Sequence, residues 1–135
     1  MEKTIRKIQI QGNIEAVEAR LTELLKNEGF GILSRNAFHE VLKEKIGVEI
    51  EPYIRLGVCN PGFAHQALEI NRAVGILLPC AVYLRQVGDA VEVGFLRPEP
   101  AFGLVSEEVP EALATIGREV EARLERVLQA IEVPA

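Results

Sequence analysis

The chain has 135 residues, of which 48% are hydrophobic and 26% are charged, with a formal net charge of −5 at pH 7. This length suits one globular domain, residues 1–135, that buries about two-thirds of its unfolded surface. The acidic balance excludes a nucleic-acid reader, which needs a basic stripe, and no apolar stretch is long enough to cross a membrane. The first residues, MEKTIRKIQIQ, lack a signal-peptide core, which predicts a cytoplasmic protein with reduced cysteines.

The first third of the chain alternates strand and helix patterns. Isoleucines interleaved with charges predict a strand over residues 4–11, followed by an amphipathic helix that Asn13 caps. A second strand is predicted over residues 30–34. Asn36 is expected to cap a second helix, which stops at Gly47.

The segment YIRLGVCNPGFA, residues 53–64, predicts a strand that passes directly into a helix. Alternation along the strand places Arg55 and Cys59 on one face and aliphatic side chains on the other. Asn60 is a strong N-cap, and Pro61 suits the first helical position. Cys59 is therefore expected just before a helix N-terminus, where the helix dipole favours a thiolate.

Three interpretations of this junction remain open. In the first, Cys59 is a small buried hydrophobic residue. In the second, the amides of Gly62 and Phe63 bind an anion or polar ligand together with Arg55. In the third, Cys59 carries thiol chemistry, alone or with Cys80. Strand alternation would place the two thiols on opposite faces of neighbouring strands, so we predict two free thiols rather than a disulfide.

The second half of the chain predicts a hairpin and a long helix. Residues 80–96 alternate in polarity around a turn at Gly88-Asp89, which indicates a β-hairpin with one apolar face. Residues 97–105 are predicted to form a loop anchored by Phe102. The last helix begins near Pro110, and its apolar stripe of about six turns is expected to cover the core or, in part, a neighbouring subunit.

No catalytic residue or metal site is predicted. The chain lacks a serine elbow, a phosphate loop, a dinucleotide fingerprint and a paired His-carboxylate motif. Cys59, Cys80 and His65 match no zinc spacing and lack a fourth ligand. His65 and His39 are expected on the solvated surface, and no cofactor follows from the sequence.

The run GVCNPGFA, the later LLPC and the Gly-Phe-Gly at residues 29–31 resemble the domain of unknown function 302 family, from about Ile5 to Ile131. The resemblance implies an α+β fold of the TBP-like type, with a curved antiparallel sheet, helices packed mainly on one face, and a homodimer. It implies no reaction. Alternating strands and helices would by themselves favour a parallel sheet, whereas the one-sided hairpin favours an antiparallel one.

We therefore predict a dimeric ligand-binding or sensor module that is not an enzyme and that holds a small molecule. The expected ligand-binding residues are Arg55, Cys59, Asn60, Cys80 and Tyr83. On this interpretation, Arg55→Ala should abolish binding and leave the fold intact. The alternative is a thiol-dependent redox protein, or a metal- or haem-associated one, that acts through Cys59 and Cys80.

Overall fold

A computed structural model describes residues 3–132. Within them, the elements follow in the order β1 (Ile5–Gln11), α1 (Ile14–Asn27), β2 (Gly31–Ala37), α2 (Phe38–Ile46), β3 (Tyr53–Cys59), α3 (Pro61–Ile70), a 3₁₀ helix (Arg72–Leu77), β4 (Cys80–Val87), β5 (Ala90–Leu96), α4 (Pro98–Phe102) and α5 (Glu111–Glu132).

The five strands form one sheet in the order β1-β5-β4-β3-β2, and every neighbouring pair is antiparallel. The predicted α+β class and the β4–β5 hairpin are therefore confirmed. The strand–helix alternation of the first half does not give a parallel sheet, because β1 lies beside β5 at the far edge from β2. The TBP-like classification stays a prediction.

The core lies between one face of the sheet and the helices α1, α3 and α5. Asn13 caps α1 as predicted, since its side chain accepts a hydrogen bond from the Ala16 amide at 2.9 Å. The apolar stripe of α5 is buried within the chain along its whole length. The expectation that part of this stripe covers a neighbouring subunit is therefore wrong, because the core of the chain itself buries the stripe.

Two local predictions are wrong, and at both places the chain contacts a segment distant in sequence. Asn36 does not cap α2, because β2 continues through Asn36 to pair with Arg55 of β3, and α2 begins without a side-chain cap. The loop expected over residues 97–105 contains the short helix α4, and its predicted anchor Phe102 is buried.

The face of the sheet opposite the core helices carries aromatic and polar side chains. The rings of Tyr53 and Tyr83 stack at a centroid distance of 5.6 Å, and Phe38 meets Tyr53 edge-on at 5.8 Å. His39 is half-buried beside them and accepts a hydrogen bond from the Tyr53 amide at 3.0 Å. The expected solvated role of His39 is wrong, because the start of α2 lies against the start of β3.

Candidate functional site

An apolar pocket of about 40 Å³ lies where the ends of β3 and β4 meet α3, α4 and α5. Its polar side chains are the thiols of Cys59 and Cys80 and the amide of Asn60. Among residues 3–132, no acidic, basic or histidine side chain lines it. Apart from these three residues, the lining of the pocket is therefore apolar.

The strand-to-helix junction is formed as the sequence predicts. β3 ends at Cys59, the side chain of Asn60 accepts a hydrogen bond from the Phe63 amide at 3.4 Å, and Pro61 occupies the first turn of α3. Pro61 has no amide hydrogen to satisfy, so the helix can begin at once after the strand. This abrupt change of direction brings α3 over the end of the sheet.

The register of β3 and β4 makes the two cysteines neighbours. Cys80 pairs with Val58, the residue before Cys59, so the two cysteines are offset by one residue on adjacent strands. Both line the pocket. Cys59 itself pairs with Gly31 of β2, so the ladder continues through it, and this register agrees with the expectation that the two side chains point to opposite faces of the sheet.

Both cysteines are free, half-buried thiols. Burial raises the pKa of Cys59 above its ordinary value. Burial also raises the pKa of Cys80 to about 11, and the nearby charge of ionised Cys59 adds to this effect. Both groups are therefore protonated at neutral pH. Burial, which raises the pKa of Cys59, thus opposes the thiolate expected at the helix N-terminus.

Two features of the helices shape the pocket, and their side chains were not assigned to a site from the sequence. Ala64 and Ala67 face it from α3, and these small side chains leave the space that forms it. Phe63 closes one side, and the guanidinium of Arg123 lies over its ring at 5.1 Å. Arg123 Nη1 also donates to the carbonyl oxygen of Glu28 at 3.0 Å, which ties α5 to the end of α1 beside the pocket.

The other two predicted binding residues lie across the sheet from this pocket. Arg55 pairs with Tyr83 on the face opposite the core helices. Arg55 is half-buried, and the structure gives it no ion-pair partner within residues 3–132. The Tyr83 hydroxyl donates to Glu92 Oε2 at 2.6 Å. Cys59, Asn60 and Cys80 therefore line the pocket, and Arg55 and Tyr83 do not.

The remaining residues considered for a site lie elsewhere. His65 is exposed on α3, and its Nε2 lies 3.6 Å from Glu69 Oε1, as expected for a surface histidine. Within residues 3–132, no three His, Cys, Asp or Glu side chains are grouped to hold a metal ion. Arg97, next to the pocket residue Pro98, pairs with Glu121 of α5 at 2.9 Å.

Comparison with known proteins agrees with this architecture. The family model described as "Domain of unknown function DUF302" matches residues 6–131. The chain belongs to the DUF302 family. The crystal structure of an uncharacterised conserved DUF302 protein from Bacillus stearothermophilus is similar over 93% of this chain and 95% of that one, with a TM-score of 0.84 and 31% sequence identity. No curated protein matches the chain.

Membership of the DUF302 family confirms the resemblance drawn from the cysteine motifs, but the family description names no activity. A function for this DUF302 protein therefore has to be argued from its own pocket and surfaces. No helix in the described part of the chain is long and apolar enough to span a membrane.

Proposed function

We propose that this DUF302 protein is a binding module that holds a very small ligand in the pocket of Cys59, Asn60 and Cys80. The observation that carries the proposal is the composition of the pocket lining, where Cys59, Asn60 and Cys80 lie among otherwise apolar residues. Protein pockets that bind small ligands combine apolar walls with a few placed polar groups in this way. A reducing compartment keeps such thiols free, and we propose the cytoplasm as the location.

Catalysis through the thiols is the weaker candidate. A nucleophilic cysteine needs a lowered pKa or an adjacent base. Here burial raises the pKa of both thiols, and no histidine or carboxylate within residues 3–132 lines the pocket. These features support binding rather than covalent chemistry.

The size of the pocket limits the ligand. A cavity needs roughly 10–15 Å³ to hold one water molecule, whereas pockets for drug-sized molecules span about 300–1,000 Å³. The volume of about 40 Å³ therefore suits a ligand of one to a few atoms. Haem, part of the alternative raised by the cysteines, is far too large for this pocket.

Xenon, which enters small apolar cavities, tests whether the pocket accepts a ligand. We expect one xenon atom per chain in the pocket of crystals under xenon pressure. The variant Ala67→Leu should exclude it, because the longer side chain fills the space beside α3. Ala16→Leu, at an exposed position of α1, is the control and should retain the xenon site. Absence of xenon from the wild-type pocket, or equal binding by Ala67→Leu, would overturn the proposal.

We also propose that the module is a homodimer formed through the α2 face, defined as the exposed apolar side chains of α2 and the loop after it. These are Phe38, Val41, Ile46, Val48 and Ile50. α2 has no buried residue, although a helix of nine residues depends on packing for its stability. A partner that covers this face would supply that packing.

A second copy of the chain is the partner that this surface fits best. α2 directly follows β2, which is an edge strand of the sheet with one side unpaired. In a twofold dimer the same surface serves both subunits, so an unpaired strand edge and an apolar helix can each meet their own copy. The opposite edge strand, β1, instead carries Arg6, Lys7, Gln9 and Gln11.

A further inference from the structure

Arg55 lies on the face of the sheet opposite the core helices, between one residue of each neighbouring strand. It pairs with Asn36 of β2 on one side and with Tyr83 of β4 on the other. Residues that pair directly across antiparallel strands point to the same face, with Cβ atoms about 4.5–5.5 Å apart. The Arg55 side chain is therefore flanked by a side-chain amide and an aromatic ring.

Arg55 differs from the other arginines of the chain in having no protein partner. Each other arginine within residues 3–132 donates at least one hydrogen bond to a carboxylate or to a backbone carbonyl. Within the same residues Arg55 has no such hydrogen bond and no ion pair, although the chain has 20 acidic and 15 basic side chains. Because Arg55 is half-buried, its charge has lost part of its hydration, and a bound anion would stabilise it.

Two further hydrogen-bond donors without a protein partner lie beside Arg55. The side chains of Ser34 and Asn36 make no hydrogen bond within the described residues. Ser34 pairs with Gly57, two residues beyond Arg55, and a Cβ atom at Gly57 would collide with Ser34 Oγ. The missing side chain at Gly57 therefore leaves room for the Ser34 hydroxyl on the same face as Arg55. We call the surface formed by Ser34, Asn36 and Arg55 the Arg55 face.

The donors of the Arg55 face fit a phosphate group. The planar guanidinium of an arginine can bind two oxygens of a carboxylate or a phosphate at once. A carboxylate has no other oxygen, whereas a phosphate group has further oxygens that can accept from the flanking amide and hydroxyl. The buried carboxylate on this face of the sheet, Glu92, is already engaged by Arg85 and Tyr83. A phosphate group would therefore satisfy all three donors.

We propose that the Arg55 face binds a phosphate group, either as free phosphate or as the phosphate monoester of a small molecule. Arg55 supplies the positive charge and a pair of hydrogen bonds, and Ser34 and Asn36 donate to the remaining oxygens. This site shares no residue with the pocket that Cys59 and Cys80 line. The two proposals therefore stand or fall separately.

An NMR titration of the isotope-labelled protein with inorganic phosphate and with phenyl phosphate, at constant ionic strength, tests the proposal. We expect saturable chemical-shift changes at the amides of Asn36 and Arg55 and at the Arg55 side chain. Acetate, the carboxylate probe, should bind roughly 10-fold more weakly, because it leaves the flanking donors without an acceptor. Tighter binding of phenyl phosphate would identify a monoester as the ligand, and equal or weaker binding would identify free phosphate.

Substitutions separate a phosphate site from general attraction between charges. Arg55→Gln should lower the phosphate affinity roughly 10–100-fold, which is the effect of losing hydrogen bonds to a charged group. Arg55→Lys keeps the charge but lacks the planar fork, so it should restore only part of the affinity. Arg118→Gln removes the same charge from α5, on the other side of the sheet, and is the matched control that should bind as the wild type does. Circular dichroism checks that each variant is folded.

Four results would overturn this proposal. The first is the absence of saturable shifts with either phosphate probe, and the second is acetate binding as tight as that of phosphate. The third is a phosphate affinity in Arg55→Gln that equals that of Arg118→Gln. The fourth is a higher dimer dissociation constant in Arg55→Gln by sedimentation equilibrium, since a carboxylate of the second copy would then pair with Arg55. Xenon binding to the pocket would be unaffected by any of these results.

Discussion

At the scale of single residues, Gly94 shows how closely the aromatic side chains pack on the sheet. A Cβ atom at this position would lie 2.5 Å from Cε1 of Tyr83 and 3.0 Å from its Cζ. Tyr83 cannot easily move aside, since its ring stacks on Tyr53 and its hydroxyl donates to Glu92. The tyrosine position therefore depends on the absence of a side chain in the neighbouring strand.

Gly94→Ala should destabilise the protein by about 1–3 kcal/mol, the usual cost of overpacking. The added methyl group would push Tyr83 out of its stack or weaken its hydrogen bond. Urea unfolding, followed by circular dichroism, measures the change. Gly31→Ala is the control, because a Cβ there meets nothing within 4 Å in an edge strand. An equal loss of stability in both variants would contradict the packing argument.

The sequence could predict the residues whose role depends on their immediate neighbours. Asn60 caps α3, and His65 lies on the surface of that helix, because both follow from local helix rules. The pocket at the end of β3 could not be predicted by alternation, since it depends on how α3, α4 and α5 pack against the strand ends. Arg55 was grouped with Cys59 because alternation puts both on one face of β3, yet only Cys59 lines the pocket.

At the scale of elements, the β4–β5 hairpin carries a polar cluster on the face away from the core helices. Glu92 is buried there and accepts hydrogen bonds from Arg85 Nε at 3.0 Å and from the Tyr83 hydroxyl at 2.6 Å. The hydrogen bond from Arg85 is the main cause that lowers the pKa of Glu92 below its ordinary value of 4.5. The ionised form of Glu92 therefore stabilises the folded hairpin.

This lowered pKa predicts how stability depends on pH. The contribution of Glu92 is complete above pH 4.5 and is lost as the pH falls through the lower pKa of the folded state. Glu92→Gln should be less stable than the wild type at pH 7 and should lose less stability between pH 4.5 and 3. Urea unfolding at a series of pH values measures both effects. The control is Glu69→Gln, at an exposed carboxylate of α3, in which the unfolding free energy should change with pH as it does in the wild type. The same pH dependence in Glu92→Gln as in the wild type would contradict the prediction.

The hairpin and the β3–α3 junction were predictable because their signals lie within a few residues of each other. The Gly88-Asp89 turn and the flanking alternation suffice for the hairpin, and Asn60-Pro61 suffices for the junction. The end of β2 depends instead on pairing with β3, about 20 residues later, so no local pattern marks it. The helix α4 packs on α5, and its two prolines within five residues concealed it.

At the scale of the whole molecule, the two proposed functional surfaces lie at opposite ends of β3. α2 contacts the strand where it begins at Tyr53, and the thiol pocket lies where it ends at Cys59. A seven-residue strand spans roughly 20 Å. Dimer formation and ligand binding are therefore expected to respond to different substitutions, and each can be tested without disturbing the other.

The dimer can be tested by placing charges in the α2 face. Val41→Asp and Ile46→Asp should each raise the dimer dissociation constant at least 10- to 100-fold, because each removes about 1.5–3 kcal/mol of apolar burial and adds a charge to the interface. Sedimentation equilibrium measures the constant. Ile46 is 66% exposed in the single chain, so its replacement should not unfold the subunit.

Ile76→Asp is the matched control, since Ile76 is 82% exposed and lies in the 3₁₀ helix that leads to Cys80, at the pocket end of the sheet. This variant should dimerise as the wild type does. The isoleucine that it replaces is as apolar as Ile46 and no less exposed, but it lies far from α2. A dimer that weakens equally in both variants would show that exposed apolar area in general, and not the α2 face, drives association. A wild-type chain that stays monomeric at all concentrations would reject the dimer, and α2 would then be a helix that its own subunit leaves uncovered.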